Sequence, residues 1–562
     1  MAAAVGLASE LSLSPVMGKL LWNRGYRTRE DALRFLRPSL DHLEDPDLLE
    51  GCHEAVQRIS QAIAADEKIA IYGDYDVDGM SATALLYHFF KLINARVEHF
   101  LPRRIEEGYG LNAEVLRRLR LDGVSLVITV DCGMSATDEA ALSRELGLDI
   151  IITDHHECET SLPDAVAVIN PKRHDSRYPF RDLAGVGVAF KLAWALSRHF
   201  SGRRRVTSEF REFLLNAIGL VALGTISDVV PLTGENRVLV CNGLDALVNS
   251  RLPGVRALMT VAGITDSLTA RDIAFRLAPR LNAAGRLNEP AAALELLVTD
   301  SSSRAAEIAD DLEAKNRRRQ AIERKILSAA RKNLLKEVDI ERDRVIVLAG
   351  EDWHLGVLGI VASRIAEEFY RPTLLLNLEG QTARGSARSI PPFHIFDALK
   401  SCEDLLLEFG GHAQAAGITV ESAMIDELRK ALEAAAGTLS GQDLTPSLAV
   451  DAEVSIREVT PALVGQLESL EPFGEQNPPP LLMARSVNIA GRSRRLGADG
   501  QHLSFYVRDG GASLRAIAFN HGSLQSRLET HSGQVSILFQ SQVDTWRGTG
   551  EPELVVRDIR LE

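Results

Sequence analysis

The sequence predicts an α/β protein: two α/β lobes joined by a long helix, followed by a small β-barrel. Three observations carry that expectation. Between about residues 61 and 230, apolar β-branched runs alternate with helical stretches, the pattern of a mostly parallel sheet with right-handed crossovers. A second alternation begins near residue 344, after a charged stretch at 301–335 that contains no Pro or Gly. Beyond about residue 444 come short segments in which every second residue is apolar. At 562 residues the chain is too long for one core. The expected divisions are a helical lead-in at 1–60, a first α/β domain at 61–300, a connector helix at 301–336, a second α/β domain at 337–445 and a barrel domain at 446–562.

In the lead-in, Thr28 with Asp31 three residues on signals a helix start, Ala32, Leu33, Phe35 and Leu36 form its apolar face, and Pro38 stops it. No chemistry is visible there. The first domain shows strands at 69–72, 126–130 and 150–153, with helices at 82–94 and 136–146. Ligands bind at the carboxyl ends of such strands. Each strand ends in acids: Asp74, Asp76 and Asp78 after the first, Asp131 after the second, Asp154-His155-His156 after the third. A fourth apolar run, 215–226, reads as a helix and ends in Ser227-Asp228. Residues 271–290, rich in Arg, Asn and Gly, read as a loop flanked by helix. For Arg317, Arg318 and Arg319 in the connector, a solvated helix face and phosphate contact weigh equally.

The second domain opens on a strand at 344–348 and continues through EDWHLGVLGIVASRIAEEF, RPTLLLNLEG, GSARSI and EFGGHAQAAGI. In the last domain the alternating residues are Leu503, Phe505 and Val507; Leu514, Ala516 and Ala518; Val535, Ile537 and Phe539; Leu554 and Val556, with a turn at 509–511. These suggest a β-barrel, of which the OB-fold is the commonest nucleic-acid-binding example, with a plain β-sandwich as the alternative. Tyr506, Phe505 and Trp546 are stacking candidates, Phe505 fitting the core better.

Charged residues make up 25 % and hydrophobic ones 45 %, the balance of an ordinary soluble protein. No apolar run approaches the roughly 18 residues of a membrane span, and Glu10 interrupts any signal peptide. A cytoplasmic protein with no membrane partner is expected. Five scattered cysteines without a Cys-x-x-Cys fit reduced thiols and argue against structural zinc. The net charge of −14 does not exclude nucleic acid, because a groove needs only a local excess of Arg and Lys. Gly18-Lys19 lacks the glycine spacing of a phosphate-binding loop, so no ATP site is indicated.

Three carboxylates within five residues repel one another unless a cation sits among them. Asp76, Asp78, Asp131, His155 and Asp228 provide enough atoms for two ions with one bridging carboxylate, and oxygen ligands with imidazole describe manganese or magnesium. Two such ions about 3.5–4 Å apart serve in-line attack on phosphorus. His156, next to His155 on extended backbone, would point elsewhere and suits a phosphate contact or proton donor. A calcium loop is excluded, since its twelfth position, counted from Asp74, is Leu85.

The segments GDYDVDG, VDCG, TDHH and ISDVVPL resemble the four motifs of the DHH phosphoesterase superfamily, and GGHAQAAG resembles the signature of its DHH-associated domain. LPRRIEEGYGL, RLNAAGR, WHLGVLGIVASR, GSARS and PFGEQNP, in this order, are similar to the RecJ exonucleases, with Ala387 and Gln414 at variable places. The resemblance implies a single-stranded-DNA-specific 5′ to 3′ exonuclease of repair and recombination that releases 5′-mononucleotides with Mn2+ or Mg2+. It implies Asp76, Asp78, Asp131, His155 and Asp228 as metal ligands, Asp74 as an extra acid, and His156 near the scissile phosphate. Arg280 and Asn282 would hold phosphate or site geometry, His412 would face the cleft from the second lobe, and Arg104, Ser386 and Arg388 would form a 5′-phosphate pocket. A helicase and a single-strand-binding protein are the implied partners, and the two-lobe design needs no second subunit. The rivals are a phosphodiesterase of the same superfamily for short oligonucleotides or cyclic dinucleotides, and a replication scaffold without catalysis.

Overall fold

The computed structural model describes residues 2–103, 110–158, 161–545, 547–548 and 550–562. The first sheet is built from β1 (Lys68–Gly73), β2 (Val97–Phe100), β3 (Val124–Val130), β4 (Asp149–Thr153) and β5 (Ala167–Ile169), in the order β2-β1-β3-β4-β5. Every pairing is parallel. Its inner strands β1, β3 and β4 are mostly apolar and buried because helices cover both faces. Helices Val77–Leu92, Gly185–Ser201 and Ser208–Ser227 pack on one face around a large core that includes Phe89, Phe90 and Leu223. The smaller core of Tyr72, Leu116 and Val127 covers the other. The helix Ser208–Ser227 is long and apolar enough to cross a membrane, contrary to the expectation from the sequence, but 67 % of its apolar window is buried in the protein.

The helix Ser302–Glu337 connects the two lobes; its 36 residues span ~54 Å at the usual rise. Its apolar positions serve two cores in turn, Ala305 to Leu312 the first lobe and Ile326 to Leu334 the second. The second sheet runs β6 (Ile346–Glu351), β7 (Thr373–Glu379), β8 (Thr382–Arg388), β10 (Ala415–Glu421) and β9 (Leu406–His412). Only its β6–β7 pair is parallel.

The C-terminal strands are β11 (Ala452–Glu453), β12 (Leu482–Leu496), β13 (His502–Asp509), β14 (Ala512–Ala518), β15 (Val535–Val543) and β16 (Pro552–Leu561). Their order β12-β13-β14-β16-β15 closes through β15–β12, so the barrel rather than the sandwich is formed. Leu503, Phe505, Val507, Ile537 and Phe539 fill it, while Tyr506 is exposed. Trp546 lies outside the described residues. The N-terminal helices do not stand alone: Met17, Leu20, Leu21 and Phe35 from Pro15–Asn23 and Arg29–Leu36 share one core with the barrel module.

Candidate metal centre and active site

At the carboxyl edge of the first sheet, β1 ends at Gly73 and the chain turns through Asp74 and Tyr75. Asp76, in extended backbone, caps the helix Val77–Leu92, its carboxylate accepting the N–H groups of Asp78 (2.9 Å) and Gly79 (3.0 Å). Asp78 is fully buried and accepts the N–H groups of Gly185 (2.7 Å) and Val186 (3.0 Å) at the start of another helix. Two helix N-termini thus face the acids with their positive ends. Neighbouring helices come this close because they carry no side chain there. A Cβ on Gly224 would lie 2.6 Å from Asp78 Oδ1, and one on Gly185 would lie 2.7 Å from the Cβ of Asp131.

Asp131 follows β3 in left-handed backbone (φ 63°) and its N–H donates to Thr153 O at the end of β4 (3.0 Å). His155 follows β4. Its Nε2 lies 3.1 Å from Asp131, 3.4 Å from Asp228 and 3.8 Å from Asp78, yet makes no hydrogen bond. Asp228 arrives from the C-terminus of Ser208–Ser227. Ligand atoms of Asp74, Asp76 and Asp131, of Asp78, His155 and Asp228, and of Asp131, His155 and His156 form three groups, each within 4.8 Å. Asp131 and His155 each belong to two of them.

Burial, then repulsion from Asp76 and Asp78 respectively, pushes Asp78 up to about 7 and Asp228 up to about 9. Asp131 is raised well above the carboxylate range by burial and by Asp78. His155 drops to about 3 through burial and the neighbouring His156. A cation would replace the protons on these buried acids and take the neutral imidazole's unbonded Nε2 as a donor. The donor set, oxygens with an imidazole nitrogen, fits Mn2+ or Mg2+.

The chain's sequence and fold lead to the same family. The family model described as DHH family, N-terminal domain, matches residues 68–225, DHHA1 domain matches 342–438 and RecJ OB domain matches 450–558. The single-stranded-DNA-specific exonuclease RecJ of Bacillus subtilis is 37 % identical over 99 % of this chain and 69 % of its own length. That of Escherichia coli is 33 % identical over 97 % of this chain and 96 % of its own. The chain belongs to the RecJ family. Among solved structures, RecJ of Thermus thermophilus in complex with Mn2+ matches with a TM-score of 0.84 at 34 % identity, covering 100 % of this chain and 78 % of that one. Its Mg2+ complex matches with a TM-score of 0.79 at 32 % identity, covering 100 % and 76 %.

Several residues of this RecJ-family chain lie differently from the sequence expectation. The pair His155-His156 lies past the end of β4; the two rings sit 4.5 Å apart and His156 Nδ1 comes within 4.0 Å of Asp131. The residue that arranges them is Asp154, which was given no role. Its buried carboxylate accepts the N–H groups of Met134 (3.0 Å), His155 (2.7 Å) and His156 (3.2 Å) and sits 2.7 Å from His156 Nδ1. Burial opposes the charge on both partners; their hydrogen bond and attraction outweigh it, lowering Asp154 and raising His156 to about 9. The sequence signal is an Asp one residue before the candidate ligand His155 and two before the candidate proton donor His156, within reach of their backbone.

Residues 271–290 are mostly helical: Ala270–Asp272, a π turn at Ile273–Leu277 and a helix at Ala278–Arg286. A Cβ on Gly285 would lie 2.9 Å from Tyr75 O, so this helix seats on the first acidic turn. Arg280 pairs with Glu313 of the connector (2.8 Å), and Asn282 is half-buried on the same helix. Of the connector arginines, Arg317 pairs with Glu313 (2.7 Å), Arg319 is buried against Glu323 (2.9 Å) and Asn316 (3.0 Å), and Arg318 is exposed. Arg286 Nη1 donates to Gly356 O across the lobes (3.2 Å).

In the second lobe, register places Arg388, Ala415 and His412 side by side, and Ser386, Gly417 and Gly410 beside them, on one face of the sheet. Arg388 Nη1 donates to Ser386 Oγ (2.8 Å), and His412 is exposed. The same region holds a cavity of about 370 Å³ bordered by Gly356, Arg384, Glu408 and Gly417. Arg104 lies outside the described residues.

Proposed function

We propose that this protein is a metal-dependent exonuclease specific for single-stranded DNA, degrading it 5′ to 3′ to 5′-mononucleotides in repair and recombination. The observation that carries the reading is the buried cluster of Asp76, Asp78, Asp131, His155 and Asp228 at one sheet edge, in a chain that also carries an OB barrel. These five residues would hold two divalent cations, Mn2+ or Mg2+, with Asp74 as a further acid beside them. When bound, the cations supply Lewis acidity to the scissile phosphate and acidify the attacking water. Their charge also relieves the repulsion that otherwise keeps protons on the carboxylates.

The chain's own groups do the rest. His156, held charged by Asp154 at Nδ1, offers its Nε2 proton to the departing 3′ oxygen. Arg280 and Asn282 keep the helix that seats on the acidic turn. Ser386, Arg388 and Arg104 receive the 5′ phosphate, Arg388 as a bidentate donor, and His412 faces the same space. The barrel holds the trailing strand by backbone contacts and stacking, with Tyr506 as one platform. The protein acts as a cytoplasmic monomer, supplied with single strands by a helicase and a single-strand-binding protein.

The test is digestion of single-stranded DNA labelled at either end, with Mn2+, with and without a 5′ phosphate. Mononucleotides released from the 5′ end alone, faster with the phosphate, are expected. Cleavage of dinucleotides with survival of long strands would replace the reading by a small-substrate phosphodiesterase; tight binding without cleavage would replace it by a scaffold.

A further inference from the structure

Six residues beyond Asp228, a helix begins at Gly234 whose first turn carries three consecutive buried polar side chains: Glu235, Asn236 and Arg237, at 3 %, 0 % and 2 % exposure. Each grips a different part of the molecule. Glu235 accepts the N–H of Glu44 in the lead-in (2.8 Å) and the hydroxyl of Tyr178 (2.5 Å), and pairs with Lys191. Asn236 Nδ2 donates to Pro231 O (3.0 Å), in the loop that carries Asp228. Arg237 reaches both the N-terminal helices and the turn at 469–471 that precedes the barrel strands. Its Nε donates to Phe35 O (2.8 Å), Nη1 to Leu470 O (2.9 Å), and Nη2 to Glu471 O (2.7 Å) and Ser469 O (3.3 Å), with the Phe35 ring 3.9 Å from the guanidinium.

The turn that Arg237 holds leads into the PFGEQNP segment at 472–478, a motif that the catalytic chemistry leaves without a role. That segment grips back. Leu232 N–H donates to Glu475 O (2.9 Å), and a Cβ on Gly474 would lie 2.6 Å from Leu232 Cδ1. Asn477 Nδ2 shapes the turn by donating to Leu470 O and Pro472 O, both at 2.8 Å, and Arg24 of the N-terminal helices bonds Asn477 and Pro478 O. A buried guanidinium whose hydrogen bonds all go to carbonyls is costly to desolvate, and apolar packing would join the parts more cheaply. What the planar fork of donors provides is fixed geometry.

We propose that Arg237 is a positioning residue for the exonuclease reaction, locking the barrel and N-terminal helices in register with the Asp228 loop so that a strand held by the barrel enters at the metal centre. The proposal rests on the exonuclease reading above. It makes Arg237 matter for substrates long enough to touch both places and not for those that occupy the metal centre alone.

The test compares full-length wild type, Arg237→Met and Arg237→Lys with Mn2+ on a long single strand and on a 5′-phosphorylated trinucleotide, with Mn2+ occupancy followed by electron paramagnetic resonance. For Arg237→Met, KM on the long strand is expected to rise about tenfold, while kcat/KM on the trinucleotide and Mn2+ binding stay within about twofold. Arg237→Lys should fall between. Equal losses on both substrates, or an unchanged long-strand KM, would overturn the proposal. If Arg237→Met does not fold, Arg237→Lys decides by the same comparison of substrates. Wild type that cuts neither substrate would sink the exonuclease reading instead, and the long-strand dissociation constant, which needs no turnover, would then judge Arg237 by the same criterion.

Discussion

The barrel and the metal centre are built by opposite rules. In the barrel, local preference and global packing agree. Apolar side chains at every second position of β13 to β16 point inward, and the half-buried Arg515 meets the buried Glu553 (2.6 Å). In the metal centre they conflict. Asp74, Asp78, Asp131 and His155 are buried together, and both Asp131 (φ 63°) and the β-branched Val229 beside Asp228 (φ 62°) take left-handed backbone. A fold accepts such conflict only where surrounding packing over-determines it, and here that packing is two helix N-termini and two close glycine contacts. The difference teaches that the barrel is read from pattern, and the site from where pattern fails.

Substitutions that exchange the two behaviours should separate activity from stability. Asp131→Asn is expected to lower the rate by about a thousandfold or more, since several kcal/mol of cation stabilisation are lost. It should also raise the melting temperature of metal-free protein at neutral pH, because folding must return a proton to Asp131, ionised in the unfolded chain, whereas Asn needs none. A fall in that temperature would mean that the acids are not frustrated. In the barrel, Phe539→Ala should cost about 3–5 kcal/mol in denaturant unfolding of the module while leaving cleavage of a trinucleotide intact in the folded fraction.

Asp154→Asn should sit between these extremes, lowering activity or Mn2+ affinity about 10–100-fold as partners of metal-site histidines do. Unchanged activity would remove Asp154 from the site. The smallest effect is a pH dependence. Asp78 at about 7 and Asp228 at about 9 lie above their unfolded values, so the folded metal-free protein binds more protons than the unfolded one. Its stability is full below the unfolded carboxylate range and declines as pH rises through those values. Added Mn2+ should therefore raise the melting temperature more at pH 8.5 than at pH 6. A stabilisation that is flat with pH would argue that the cation does not displace these protons.

Periodicity made the acid-tipped strands and the barrel legible, because both express a short-range rule. The edge strands Val97–Phe100 and Ala167–Ile169 escaped it, the first half-exposed and the second only three residues long. Residues 271–290 read as a loop although they are mostly helical, because Pro279, Asn282 and Gly285 look like breakers. Pro279 sits in the first turn of its helix, where no N–H is needed. Gly285 is there for contact with Tyr75. The role of Asp154 depends on two histidines being turned back beside it, and the meeting of residues 17–35 with the barrel depends on contacts more than 400 residues apart, such as Ser14 N–H to Gln466 (a separation of 452). No window of sequence contains such information.

That meeting also dictates an order of events during synthesis. The helices Pro15–Asn23 and Arg29–Leu36 are made before both lobes, yet the partners of Leu20, Leu21 and Phe35 in the barrel module are made after them. The nascent chain therefore carries an exposed apolar stripe throughout translation of both lobes, which is covered only once the barrel module has been made. Loop closure across a separation of 452 residues makes this step slow and vulnerable to chaperone capture or aggregation.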